Sequence, residues 1–144
     1  MEQTSKFTNS LVSNYAEILD TIFELESSQG RNKKAYKANS VGALGGYQIT
    51  PLTWKDLLQE MPTKWGKANY AKVVTDNALA RLAATDILQI KSDRLSRNGI
   101  MPSEDNLLLA YHSGEGNVLQ GSIGPEGQKY LQRGLDILRR KRGR

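Results

Sequence analysis

A chain of 144 residues is the size of one compact domain, long enough to bury a core and too short for two. It has no cysteine and a single histidine, His112, which excludes disulfides, thiolate metal sites and a conventional zinc centre, so neither metal nor other cofactor is expected. Twenty basic against fifteen acidic side chains give a net charge of +5, but Arg139, Arg140, Lys141, Arg142 and Arg144 carry all of that excess, which argues against a nucleic-acid interface spread over the domain.

The opening segment, MEQTSKFTNS, lacks the charged-then-apolar layout of a secretory signal, and no run of about 18 apolar residues occurs that would span a bilayer. The expectation is a soluble chain that reaches any extracellular target by another route. A first helix is expected from a cap at Ser10 or Ser13 to about Glu26, with Tyr15, Ile18, Leu19, Ile22, Phe23 and Leu25 as its apolar residues and Gly30 after its end. A basic, glycine-rich segment then runs from Arg31 to Gly46, and Gly42 to Ile49 is the one place where a small hairpin is expected. Thr50 followed by Pro51 signals a helix start, because proline at the first helical position gives up no needed donor; that helix should stop at Pro62.

A long helix is expected from Thr75 or Asp76, through Leu79, Leu82, Ala83, Ile87 and Ile90, to Asn98 and Gly99. Ser103, with Glu104 and Asp105 in the first turn, opens a short apolar helix through Tyr111, and the glycine-rich run Gly114-Glu115-Gly116-Asn117 comes next. Pro125 begins the last helix, which carries Tyr130, Leu131, Ile137 and Leu138. The sum is a mainly α single domain over 1–144, with a core of about 10–138 and a basic tail at 139–144. That tail is either a solvated, frayed helix end or a salt-sensitive attachment to an anionic envelope surface.

One carboxylate is out of place. At about 100° per residue, and with Tyr15 at zero, Leu19, Ile22 and Phe23 fall within about 80°, while Glu17, Asp20 and Glu24 fall about 140–200° away. Glu26 falls at about 20°, inside the apolar stripe. Burying a carboxylate disfavours its charged form and raises its pKa, as a general acid requires. The ordinary alternatives are a last turn that swings Glu26 into water, or a structural pairing with an arginine.

Three motifs, in order, resemble those of the soluble-type lytic transglycosylases and the related phage lysozyme-like and goose-type-lysozyme domains. The first is Glu26-Ser27, similar to the glutamate-serine pair that ends the family's catalytic helix. The second is Gly42-Ala43-Leu44-Gly45-Gly46-Tyr47-Gln48-Ile49-Thr50-Pro51-Leu52-Thr53-Trp54. The third is Ala110-Tyr111-His112-Ser113-Gly114-Glu115-Gly116-Asn117-Val118. The motifs lie within a likeness spanning roughly residues 15 to 131, and each is weak by itself because a glycine-rich turn before a helix is commonplace.

The resemblance implies a lysozyme-like fold with a small hairpin or irregular segment after the catalytic helix. It also implies an enzyme that cuts peptidoglycan between N-acetylmuramic acid and N-acetylglucosamine with Glu26 alone, leaving 1,6-anhydro-muramoyl ends. It places Ser27, Ser40, Gly45, Gly46, Tyr47, Gln48, Tyr111 and His112 at the substrate, with Gln48 offering both donor and acceptor to sugar groups. Tyr111 would orient the Glu26 carboxyl, and Tyr47 would stack on a sugar ring or fill core. The family's serine before the glycine-alanine pair corresponds to Ser40 or is replaced by Asn39, and His112 stands where the family has asparagine. Glu115 is the candidate second carboxylate for the alternative reading, a muramidase that positions water. A further alternative is a non-catalytic glycan-binding or virion assembly part. The expected setting is a phage-encoded, bacteriolytic protein, carried in the particle or released through a membrane pore as an endolysin is.

Overall fold

The computed structural model describes residues 2–143, with side chains from Tyr15 onward. Eight α-helices occur among them: α1 (Glu2–Ser27), α2 (Pro51–Glu60), α3 (Pro62–Trp65), α4 (Tyr70–Thr75), α5 (Asn77–Arg97), α6 (Glu104–Ser113), α7 (Glu115–Gln120) and α8 (Pro125–Arg142). A short 3-10 helix, Lys33–Tyr36, comes after α1. The mainly helical expectation is met. Of the two forms expected after the first helix, hairpin or irregular segment, the second is found: among the described residues there is no strand, only an isolated antiparallel bridge between Leu44 and Ile49. Gly42 and Gly45, both with positive φ, and the left-handed Gln48 turn the chain too often for a ladder to extend.

The chain forms two compact units, Ile22–Ile90 on one hand and Met1–Thr21 with Lys91–Arg144 on the other. The dividing points fall within α1 and α5. In α1 the positions of Ser10 and Ser13 are internal to the helix, so neither begins it; no glycine or proline interrupts the chain between Glu2 and Ser27. The side chains of those two serines, and Arg144, lie outside the described residues.

In the Ile22–Ile90 unit the helix starts obey their caps. The Thr50 hydroxyl accepts from the Thr53 N–H at 3.1 Å with Pro51 at the first position, and Asn69 caps α4 by accepting from Lys72 N–H at 3.0 Å. The Asp76 carboxylate accepts from the N–H groups of Ala78 and Leu79, which starts α5 where expected. Ala80, Ala83, Ala84, Ile87 and Leu88 are buried, a stripe at helical spacing that leaves Leu79 and Leu82 on the solvent side. Trp54 of α2 is a packing centre, with Trp65 edge-on at 5.8 Å and Tyr70 at 5.7 Å. The Trp65 indole N–H donates to Asp86, which also pairs with Lys64. The Tyr70 hydroxyl lies 2.9 Å from the Gly42 carbonyl oxygen and 2.5 Å from that of Ile49.

In the other unit α6 packs against both α7 and α8. Four consecutive α6 residues, Leu107 to Ala110, are buried, as in a helix covered on all sides. Ser103 caps it by accepting from Asn106 N–H. The glycine-rich run after α6 is a helix start, with Glu115 at its first position, and Arg139 to Arg142 of the basic tail form the last turn of α8. Arg142 donates to the carboxylates of both Glu17 and Glu104, so one tail cation is held by two acids.

Candidate active site

Glu26 is half-buried in the last turn of α1. The turn immediately after it is tightly tied. The Ser27 side chain is fully buried; its hydroxyl donates to the Phe23 carbonyl at 2.9 Å and accepts from the Gly30 N–H at 2.9 Å. Ser27 therefore shapes the turn and offers no hydroxyl outward. Ser28 (φ 52°), Gln29 (φ 61°) and Gly30 (φ 80°) make three successive left-handed residues, two of them with side chains. The Ser28 N–H reaches the Glu24 carbonyl, the Gln29 N–H that of Phe23 and the Asn32 N–H that of Ser27, so three carbonyls near the end of α1 are satisfied.

The second motif packs on this turn through Phe23. The Tyr47 ring stacks on Phe23 with centroids 4.9 Å apart and planes 19° from parallel, and the Arg81 guanidinium donates to its hydroxyl at 3.3 Å. At 2 % exposure Tyr47 fills core, the second of the two roles its residue type allows; the ring has no open face for a sugar. Gly45 and Gly46 are buried too. A Cβ on Gly45 would stand 1.7 Å from the Val74 carbonyl oxygen, and one on Gly46 would stand 2.5 Å from the Phe23 ring and 2.6 Å from Asn77. Their smallness serves internal contact, not approach of a glycan.

Gln48 is half-buried with φ 49°. Its amide nitrogen donates to the carbonyls of Ala35 (3.0 Å) and Gly45 (2.9 Å), which orients the amide and leaves Oε1 as the acceptor end. Ser40 is exposed. It lies in a turn organised by Asn39, whose side-chain oxygen accepts from Val41 and Ala43 N–H.

The third motif belongs to the other unit. Tyr111 is half-buried on α6. His112 lays its ring 4.3 Å from that of Tyr130 with Nδ1 3.2 Å from the Ser113 hydroxyl; burial lowers its pKa below the usual 6.5, against the opposing pull of Glu126. Glu115 forms ion pairs with Lys91 at 2.8 Å and Arg94 at 2.7 Å. Burial alone would raise its pKa, but the two cations outweigh that and bring it from 4.5 down to about 2. A carboxylate so held is a poor proton acceptor.

In the sequence Phe23 is only one apolar helix residue among several, and no local signal marks Arg81, Lys91 or Arg94. Lys91 and Arg94 sit more than twenty positions before their partner, with no local pattern linking them to it. Among the described residues no group of three or more His, Asp or Glu side chains is placed to hold a metal ion. No family model, no curated protein and no solved structure matches this chain.

Proposed function

We propose that the chain is a peptidoglycan lytic transglycosylase in which Glu26 is the single catalytic acid. The observation that carries the reading is where the backbone is strained. Among the described residues the non-glycine positions with positive φ are Ser28, Gln29 and Gln48. Two come directly after the Glu26-Ser27 pair, and the third is the glutamine of the second motif. Each left-handed side-chain-bearing residue costs about 1–3 kcal/mol and persists where the surroundings over-determine it, a condition that clusters at functional sites. The Ser27 cap and the Phe23–Tyr47 stack supply that over-determination, and they fix the turn that directly follows Glu26.

In this reading Glu26 protonates the glycosidic oxygen between the muramoyl and glucosaminyl residues. The bond breaks as an oxocarbenium-like centre forms at the muramoyl anomeric carbon, with the substrate's own N-acetyl group stabilising it. The Glu26 carboxylate then accepts the proton of the muramoyl 6-hydroxyl, whose oxygen closes on the anomeric carbon. Water is not consumed. The two-carboxylate alternative loses its best candidate, because Glu115 is committed to Lys91 and Arg94. The protein would meet its wall substrate from a phage particle or after release through a membrane pore.

Incubation with purified sacculi and mass spectrometry of the fragments tests this. The expected products carry anhydro-muramoyl ends, and Glu26→Gln should lower their formation at least about a hundredfold while the melting curve is retained. Reducing ends alone would replace transglycosylation by hydrolysis, and undiminished cleavage by Glu26→Gln would remove Glu26 from the chemistry.

A further inference from the structure

Between Glu26 and Asp56 the chain carries Arg31, Lys33, Lys34, Lys37 and Lys55 and no carboxylate. The first four lie within seven residues, all exposed, and among the described residues none of them enters an ion pair. They are not displayed from a loose loop. Asn32 caps the 3-10 helix by accepting from Lys34 N–H at 3.0 Å, and Lys37 N–H closes its other end on the Lys34 carbonyl. The buried Ala35 offers its carbonyl to both Gly45 N–H (2.6 Å) and the Gln48 amide (3.0 Å). The cations thus stand on backbone fixed to the Gly45–Gln48 turn, starting a few residues beyond Glu26.

We infer that this face, Arg31 with Lys33, Lys34 and Lys37, docks the free carboxylates of the peptide stems on a peptidoglycan strand. The inference rests on the glycan-cleaving reading above and adds to it a substrate feature, the stem peptide, that the sugar chemistry does not require. Charge complementarity is its basis: a strand carrying repeated carboxylates meets repeated unpaired cations, each exposed pair weak alone and several together additive. Single-stranded nucleic acid fits less well, since stacking needs open rings. Of the aromatic rings of this region, Tyr47 is buried against Phe23, and Tyr36 is half-buried with its hydroxyl held by Gly30 and Asn77. A bilayer would be met by apolar anchors beside the cations; Lys33 to Lys37 contain only the buried Ala35 and the half-buried Tyr36, while Val41 and Leu52, 68 % and 78 % exposed, lie further along the chain, so anionic vesicles are a necessary arm of the test.

Co-sedimentation of the full chain tests it, using the Glu26→Gln background so that binding is read without cleavage. Against purified sacculi, K33E/K34E should lower affinity about tenfold, K33R/K34R should keep it, and added salt should erase the difference. Sacculi whose stem carboxylates are capped as amides, with a carbodiimide and excess ethanolamine, should bind both proteins equally weakly. Equal binding by K33E/K34E to intact sacculi, with an unchanged melting temperature, overturns the inference, as does undiminished binding to the amidated sacculi. So does a loss seen only with phosphatidylglycerol vesicles or with DNA. These readouts separate the two claims: wild type that cuts sacculi while K33E/K34E binds as well as its parent defeats the docking surface alone, and cation-dependent binding by a wild type that cuts nothing defeats the enzyme reading alone.

Discussion

At Gly45 an added Cβ would press into the Val74 carbonyl, whereas at Gly114 and Gly116 it would meet nothing within 4 Å. The two glycine-rich segments therefore do different work. In the 42–49 segment glycine permits contact between backbones, and the segment's fit to Phe23 and Val74 depends on having no side chain. In the 114–117 segment the requirement is conformational: Gly114 has φ 86° and ends α6, and Gly116 sits within α7 with open space about it. What is tight in that second region is charge, where Glu115 is clasped by two cations. Close packing and ion pairing thus divide between the two regions.

The largest effect should come from Gly45→Ala, which meets both a positive φ and a backbone atom that cannot swing aside; a loss above about 3 kcal/mol is expected in denaturant unfolding. A loss below about 1 kcal/mol would show that the backbone at Val74 yields, and the contrast would fail. Next is Glu115→Gln, which leaves Lys91 and Arg94 without their carboxylate and should cost about 1–3 kcal/mol near neutral pH. The pH dependence has a definite sign. A pKa lowered from 4.5 to about 2 stabilises the fold above the unfolded value, and that stability drains away as pH falls from about 4.5 to about 2. The variant should lack this acid limb in melting curves taken across the range.

Arg142→Ala removes a contact to Glu17 that is largely in water, with side chains 42 % and 40 % exposed, and one to the more covered Glu104, 21 % exposed, so about 1 kcal/mol is expected. A cost equal to that of Glu115→Gln would erase the distinction between exposed and covered ion pairs. The smallest change is Gly116→Ala, neutral or stabilising by up to about 1 kcal/mol, because alanine favours the helix and displaces nothing. Clear destabilisation there would make the open region as demanding as the tight one.

Four of the longer elements are legible in the sequence because their ends carry local chemistry: Thr50 with Pro51, Asp76, Ser103 and Pro125 begin their helices where the residue types place them, whereas α1 runs from Glu2 past both serines expected to cap it. The 3-10 helix, α3, α4 and α7 span four to six residues each, too short to show a period, and their tertiary partners decide them. The side of α1 on which Glu26 falls can be had by counting degrees, but its half-burial does not follow from it, since Glu17 and Glu24 on the far side are half-buried too. Nor can the role of Tyr47 be had this way, since an aromatic ring reads alike whether it lines a groove or fills core, and only Phe23, distant in sequence, distinguishes the two. Gln48 shows the same limit: its residue type announces a donor and an acceptor but not that the donor end is already spent on Ala35 and Gly45.

The Tyr70 hydroxyl sits between the carbonyls of Gly42 and Ile49 with one proton to give. It can answer one of them at a time, so the stretch from Gly42 to Ile49, the first part of the second motif, is buckled at both ends by a fastening that alternates between them. A side chain on α4, outside all three motifs, thereby sets how far that whole stretch can open.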